Sequence, residues 1–187
     1  MENILAILHA INPLSSELRD YLIQILRTKM IGKREFLLEA GRVCGEICFI
    51  ESGLLRSYYL EDGKEFNKWF MKERDIVIAV QSFFSQTVSN ENIQAIEDTV
   101  VQYISYHDLQ NIYIKFPEFN KNGRIITEIY YSELDKRMDA IKNHSAWKRY
   151  QYLLTNYPEL VGRVPGKDLA SYLGMEKEHL YAIRNHH

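Results

Sequence analysis

Cysteine is scarce in this chain: Cys44 and Cys48 are the only two. They cannot supply the four thiolates of an iron–sulfur cluster. A two-cysteine metal site would need further ligands, and no nearby histidine offers them. With apolar neighbours and three residues between them, they read as ordinary strand residues. Long apolar runs are also missing, since none approaches the roughly 18 to 20 residues of a bilayer-spanning helix. The N-terminus, Met1-Glu2-Asn3-Ile4, has neither the basic region nor the small-residue cleavage site of a secretory leader. A cytoplasmic protein with no membrane partner is therefore expected. Clustered histidine is absent too: His9, His107, His144, His179, His186 and His187 are scattered. A cupin-type enzyme needs His-x-His, a Glu and a further His around its metal. No nucleophile–base signature and no phosphate-cradling glycine loop occurs. Neither an enzyme nor a metal or cofactor site is expected.

What is present suits a folded protein. An apolar share of 46% over 187 residues supports a real core. The net charge is −2, but it is unevenly spread. From Lys142 onward seven Lys/Arg face four Asp/Glu, while the part before holds sixteen against twenty-one. A mildly basic C-terminal module on an acidic body suits nucleic-acid binding.

The hydrophobic period divides the chain. Residues 2–10 read as a short amphipathic helix broken at Pro13, and Ser15 or Ser16 caps a second helix through about Leu26. The period then becomes two, with strands expected at 28–31, 36–39, 46–51, 54–60, 65–71, 76–80 and 99–105. Turn markers separate them, and Asp62-Gly63 is a strong hairpin signal. Strands at this spacing suggest a jelly roll or barrel. From Tyr106 the period is helical again: one helix from Asp108 to Lys115, then a long one from about Glu118 to His144. Its stripe of Ile126, Ile129, Tyr130, Leu134, Met138 and Ile141 advances by three or four residues. That stripe either packs on its own barrel or forms a dimer seam, and the helix's length favours the seam. Another helix spans Trp147 to Leu154.

The last stretch, from Val164 to Arg184, reads as two short helices joined at a glycine. Ala170 is small where a second helix must cross closely. Gly174 can take the left-handed conformation of the turn, and Leu180 plugs the angle between the helices. Leu169, Leu173 and Ile183 fill the other inner positions. This is a helix-turn-helix pattern, whose second helix would lie in a DNA major groove. Lys177, Glu178, His179, Tyr181 and Arg184 are its candidate DNA contacts, with Lys167 and Arg163 as phosphate contacts. The end at His187 leaves no room for a wing of strands, and His186-His187 receive no role.

In order and spacing these features resemble the Crp/Fnr superfamily of bacterial transcription regulators. The likeness rests on Glu46 to Arg56 around Gly53, the Asp62-Gly63-Lys64-Glu65 hairpin, and Ser82-Phe83-Phe84-Ser85. It also rests on Ile93 to Asp98, Trp147-Lys148-Arg149-Tyr150, and Tyr157-Pro158-Glu159-Leu160. Several of these look like a Bacteroidetes-type branch. The resemblance implies an α+β chain of three parts: a cyclic-nucleotide-binding-like β-roll with flanking helices over 1–116, a dimerisation helix over 117–145, and a helix-turn-helix domain over 146–187. It implies a homodimer bound to palindromic double-stranded DNA, with RNA polymerase as a possible further partner.

Cyclic-nucleotide binders of this family carry a Gly-Glu pair and an Arg followed by Ser or Thr around a phosphate cassette. Here the first falls on Val77-Ile78-Ala79 and the second near Ser89-Asn90-Glu91-Asn92, with no Arg. A buried phosphate without its cation is costly, so cyclic AMP is not expected in the usual mode. Ile78, Ala79, Gln81, Ser82, Phe83, Ser89, Asn90 and Asn92 could instead line a pocket for an unknown, neutral or weakly polar effector. Alternatively the aromatics are core and the amides loop surface. A competing function is an effector-binding or protein-interaction module whose helix-turn-helix no longer binds DNA.

Overall fold

The structure, a computed structural model, describes residues 4–142 and 144–186. The expectations for residues 2 and 3, Asn143 and His187 lie outside this range. The fold is α+β. Two helices, α1 (Ile4–Ile11) and α2 (Ser16–Ile25), lead into strands β1 (Arg27–Ile31), β2 (Phe36–Leu38), β3 (Glu46–Ser52), β4 (Leu55–Glu61), β5 (Lys64–Met71) and β6 (Ile76–Val77). After α3 (Val80–Ser85) come β7 (Glu91–Ala95) and β8 (Thr99–Ser105), and the rest is helical. Those helices are α4 (Tyr106–Lys115), α5 (Phe119–Lys142), α6 (Ala146–Asn156), α7 (Pro158–Arg163), α8 (Gly166–Tyr172) and α9 (Lys177–His186).

The strands form two four-stranded sheets in the orders β1-β8-β3-β6 and β2-β7-β4-β5. In the first, β8 pairs antiparallel with both β1 and β3, so Tyr103 faces Arg27 on one side and Cys48 on the other. Contacts divide the chain into two units: one runs to Ser57 and from Met71 to Glu128, the other comprises Tyr58–Phe70 and Ile129 onward.

In the first unit the buried set includes Leu18, Ile50, Leu54, Leu55, Phe83, Ile93, Val101 and Ile112. Gly53 turns the chain between β3 and β4 with φ +103, and a Cβ there would strike Thr99 Oγ1 and come within 2.6 Å of the Asp98 carbonyl oxygen. Only glycine fits this turn. Local polar geometry starts the helices. Ser15 Oγ accepts from Leu18 N–H at 3.2 Å, and Ser105 with Asp108 forms a complete capping box on α4.

In the second unit, Asp62 (φ 51) and Gly63 (φ 76) make the tight turn of the β4–β5 hairpin, the conformation that Asp-Gly favours. Ser145 caps α6, and Pro158 opens α7. Leu153, Leu160, Leu169, Leu173 and Leu180 are fully buried among these helices.

Three sequence expectations change. The strand expected at 76–80 is two residues long, because Val80 already starts α3. The segment 91–95, where no strand is expected, is strand β7. A further short helix, α7, precedes α8. In each case the local pattern was too short or too polar to carry a period, and sheet pairing or packing decided the outcome.

Candidate functional site

The region where a ligand cassette is expected lies between β6 and β7. Its polar side chains are largely engaged in building the loop. Ser82 Oγ accepts from Cys44 N–H at 2.9 Å and donates to the Thr87 carbonyl at 2.6 Å. Ser89 Oγ accepts from Glu91 N–H at 3.0 Å, and Asn92 Oδ1 accepts from Ala40 N–H at 2.9 Å. Phe83 is fully buried, with its ring edge-on to Phe84 and Tyr106. Ala79 is buried and Ile78 half-buried, while Gln81 and Asn90 face solvent. Two charged side chains are buried here. Glu91 Oε2 accepts from Ser57 Oγ, and Arg56 donates through Nε and Nη2 to Gln94 Oε1 at 3.2 and 2.7 Å. The buried polar set therefore includes a carboxylate.

The nearby thiols stay protonated. Burial raises Cys44 above its ordinary value and pushes Cys48 up to about 12, so neither is a nucleophile at neutral pH.

Along α5, Ile129, Leu134 and Met138 are exposed, as is Tyr131, while Ile126, Tyr130 and Ile141 are half-buried. The inward positions are few: Phe119, Asn122, Arg137 and Ala140.

At the C-terminal end, α8 and α9 meet at Gly174, whose φ is +62. Gly174 N–H donates to the Ser171 carbonyl and Met175 N–H to that of Ala170, closing the turn. Ala170 and Leu180 are buried. Lys177, Glu178, His179 and Tyr181 lie on the exposed side of α9. Lys177 Nζ sits 5.5 Å from the centre of the Tyr181 ring, and the Tyr181 hydroxyl packs over Gly166. Arg184 is half-buried with its guanidinium 5.6 Å from the Tyr150 ring centre. Of the two remaining candidates, Lys167 is exposed and Arg163 half-buried.

A second set of contacts, invisible in the sequence, joins the β4–β5 hairpin to α8. Ser171 Oγ accepts from Asn67 N–H at 3.0 Å and donates to the Glu65 carbonyl at 2.9 Å. Lys167 Nζ stands 3.9 Å from Glu65 Oε2. Beside them, the Arg137 guanidinium of α5 lies between Trp69 and Tyr172, at 4.5 and 4.0 Å from the ring centres. Burial lowers the Arg137 pKa, though the tyrosines around it work the other way. Tyr172 and Phe70 are themselves in ring contact at 5.0 Å.

Residues 28–115 match the cyclic nucleotide-binding domain family. Among solved structures, a protein from Eubacterium rectale assigned as a Crp/Fnr-family transcriptional regulator is similar over 94% of this chain and 84% of its own, with 18% identity and a TM-score of 0.74. CooA from Carboxydothermus hydrogenoformans aligns over 100% of this chain and 84% of its own, with 20% identity and a TM-score of 0.69. The c-di-GMP-responsive regulator CLP from Xanthomonas campestris aligns over 92% and 91%, with 14% identity and a TM-score of 0.71. No curated protein sequence matches. Residues 28–115 thus match the cyclic nucleotide-binding domain model, and the chain shares its fold with these solved structures.

Proposed function

We propose that this chain is a homodimeric, DNA-binding transcription regulator of the Crp/Fnr type whose roll senses an effector other than cyclic AMP in its usual mode. The observation that carries the reading is the α8–α9 pair. A small buried Ala170, a left-handed Gly174 and a buried Leu180 fix the crossing. Lys177, Glu178, His179 and Tyr181 stay outward. This is the arrangement in which a second helix enters a major groove. Lys167 and Arg163 then serve phosphates. Arg184, stacked on Tyr150, would have to swing outward to read a base.

The exposed aliphatic stripe of α5 supports the dimer, because such a face gains stability when a second copy covers it. A dimer also suits a palindromic operator. In the roll, buried Glu91 opposes an anionic ligand, and the buried Arg56 guanidinium is already engaged by Gln94. The neutral groups that remain, Gln81 and Asn90, suit an uncharged effector beside Ile78 and Ala79. Among the described residues no helix is long and apolar enough to cross a membrane.

A rival reading, an effector or interaction module without DNA affinity, draws on the inward turn of Arg184. Selection of bound fragments from a mixed genomic DNA pool at several salt concentrations separates the two. A DNA reader enriches a palindromic site, loses affinity steeply as salt rises, and is weakened by Lys177→Glu. Retention of no duplex at low salt would refute the regulator.

A further inference from the structure

Arg137 and Ala140, three residues apart, form the inward side of the last turns of α5. Only 6% of Arg137 stays exposed. It forms no hydrogen bond or ion pair among the described residues, and its contacts are the two rings already named. Burial lowers its pKa, while the phenols of Tyr172, Tyr157 and Tyr152 lie near enough to act on its charge. A guanidinium keeps that charge inside a protein. A buried cation without an anion is costly, and stacking returns only part of the cost.

The two rings decide how an anion can reach it. Trp69 and Tyr172 cover the guanidinium at 4.5 and 4.0 Å. Its N–H donors lie in its own plane, so an acceptor has to approach edge-on. Beside it stand Tyr152 and Tyr157, both half-buried, with ring centres 6.1 Å apart. Burial raises the Tyr157 pKa, so this phenol stays protonated at neutral pH and offers a neutral donor.

We propose that Arg137 is the anchor of a second ligand site, outside the roll, for a small organic acid. The acid's planar carboxylate pairs in plane with Arg137, and its body lies along the half-buried rings of Trp69, Tyr152 and Tyr157. A carboxylate matches the guanidinium fork with two parallel N–H···O bonds. The aromatic surround favours an apolar body. Charge limits the ligand to one negative charge, because Glu133 acts on Tyr157 and repels a dianion such as phosphate. Phosphate is also tetrahedral, whereas the gap between two ring faces is flat. The site belongs wholly to the second unit, and it does not depend on whether that unit holds DNA.

The test uses the full chain and sodium benzoate. Benzamide serves as the uncharged molecule of the same shape, and inorganic phosphate as the tetrahedral anion. Benzoate raised to about 10 mM should lift the wild-type thermal midpoint saturably by about 3–5 °C, the rise for a ligand near tenfold over its Kd. Benzamide and phosphate should shift it by less than about 1 °C. Arg137→Met refills the volume, and Arg137→Lys keeps the charge without the fork. Each should lose the benzoate response, whatever its midpoint without ligand. Should both fail to fold, Tyr157→Phe takes their place, and calorimetric titration should show benzoate bound about tenfold more weakly; unchanged affinity there would overturn the proposal. It is overturned equally by no saturable rise in wild type, by an equal rise with benzamide or phosphate, or by a full benzoate response in either Arg137 variant.

Discussion

The guanidinium of Arg137 lies 4.0 Å from the centre of the Tyr172 ring, which places a buried cation of the long helix against the first helix of the C-terminal pair. Trp69 covers its other side at 4.5 Å. Burial disfavours the charge, so the residue stabilises through stacking and filled volume more than through electrostatics. Arg137→Ala should lower unfolding stability by about 2–3 kcal/mol, measured by urea titration. Arg137→Met, which refills the space without a charge, should recover at least half of that loss.

Asp108 supplies a pH-dependent share of stability. Burial alone would raise its pKa. Hydrogen bonds from Ser105 Oγ at 2.7 Å and Ser105 N–H at 3.0 Å, with Arg27 at 3.5 Å, outweigh that and lower it. A depressed carboxylate stabilises fully above its unfolded value of about 3.9 and loses this as pH falls through the folded pKa. Asp108→Asn should therefore lose about 1 kcal/mol at pH 7. Denaturation repeated at stepwise lower pH should show the gap between the two proteins shrinking below pH ~4; a constant gap would contradict the carboxylate's role.

Two left-handed glycines should respond unequally to alanine. Gly53 has φ +103 and no space for a Cβ, whereas Gly174 has φ +62 and nothing within 4 Å. Gly53→Ala combines backbone strain with a clash against Asp98 and Thr99 and should cost about 3 kcal/mol or more. Gly174→Ala carries only the backbone term, about 1 kcal/mol. Thermal melts that rank the two the other way would show that the β3–β4 turn relaxes freely.

Assembly is testable on α5. Leu134 and Met138 are exposed in the single chain, and a charge at Leu134 would be buried in the proposed seam. Leu134→Asp should sediment at half the mass of the wild type, with a lower thermal midpoint that no longer depends on protein concentration. Equal masses would place the dimer elsewhere or remove it.

Ligand choice has an equally direct test. Cyclic AMP should leave the thermal midpoint of the wild type where it is. A saturable rise at micromolar nucleotide would mean that Glu91 and its neighbours rearrange to admit a phosphate.

Turns and caps were legible because their chemistry is local. Asp62-Gly63, Gly53, Gly174 and the Ser15 cap each announce a backbone conformation in one or two letters. The Ala170–Leu180 spacing was legible for the same reason. The stretch from Val80 to Ala95 was not, since α3 is six residues long and β7 buries Glu91 and Asn92 where a pattern reader expects loop. Arg184 shows a different limit: helical spacing puts it near the outer face, and only the position of the Tyr150 ring decides where its guanidinium goes. The bonds of Ser171 to Glu65 and Asn67 join residues more than a hundred positions apart, a relation that no local pattern encodes. Arg137 sits within the apolar spacing of α5 and was passed over because charge usually marks the solvent side.

β5 is an edge strand of its sheet, and a bare rim of amides and carbonyls invites a foreign strand to zip alongside and seed fibrils. With the Ser171 hydroxyl seated on that rim at Glu65 and Asn67, the molecule shields its own margin. Losing this seat would leave that stretch of the rim open to a second chain.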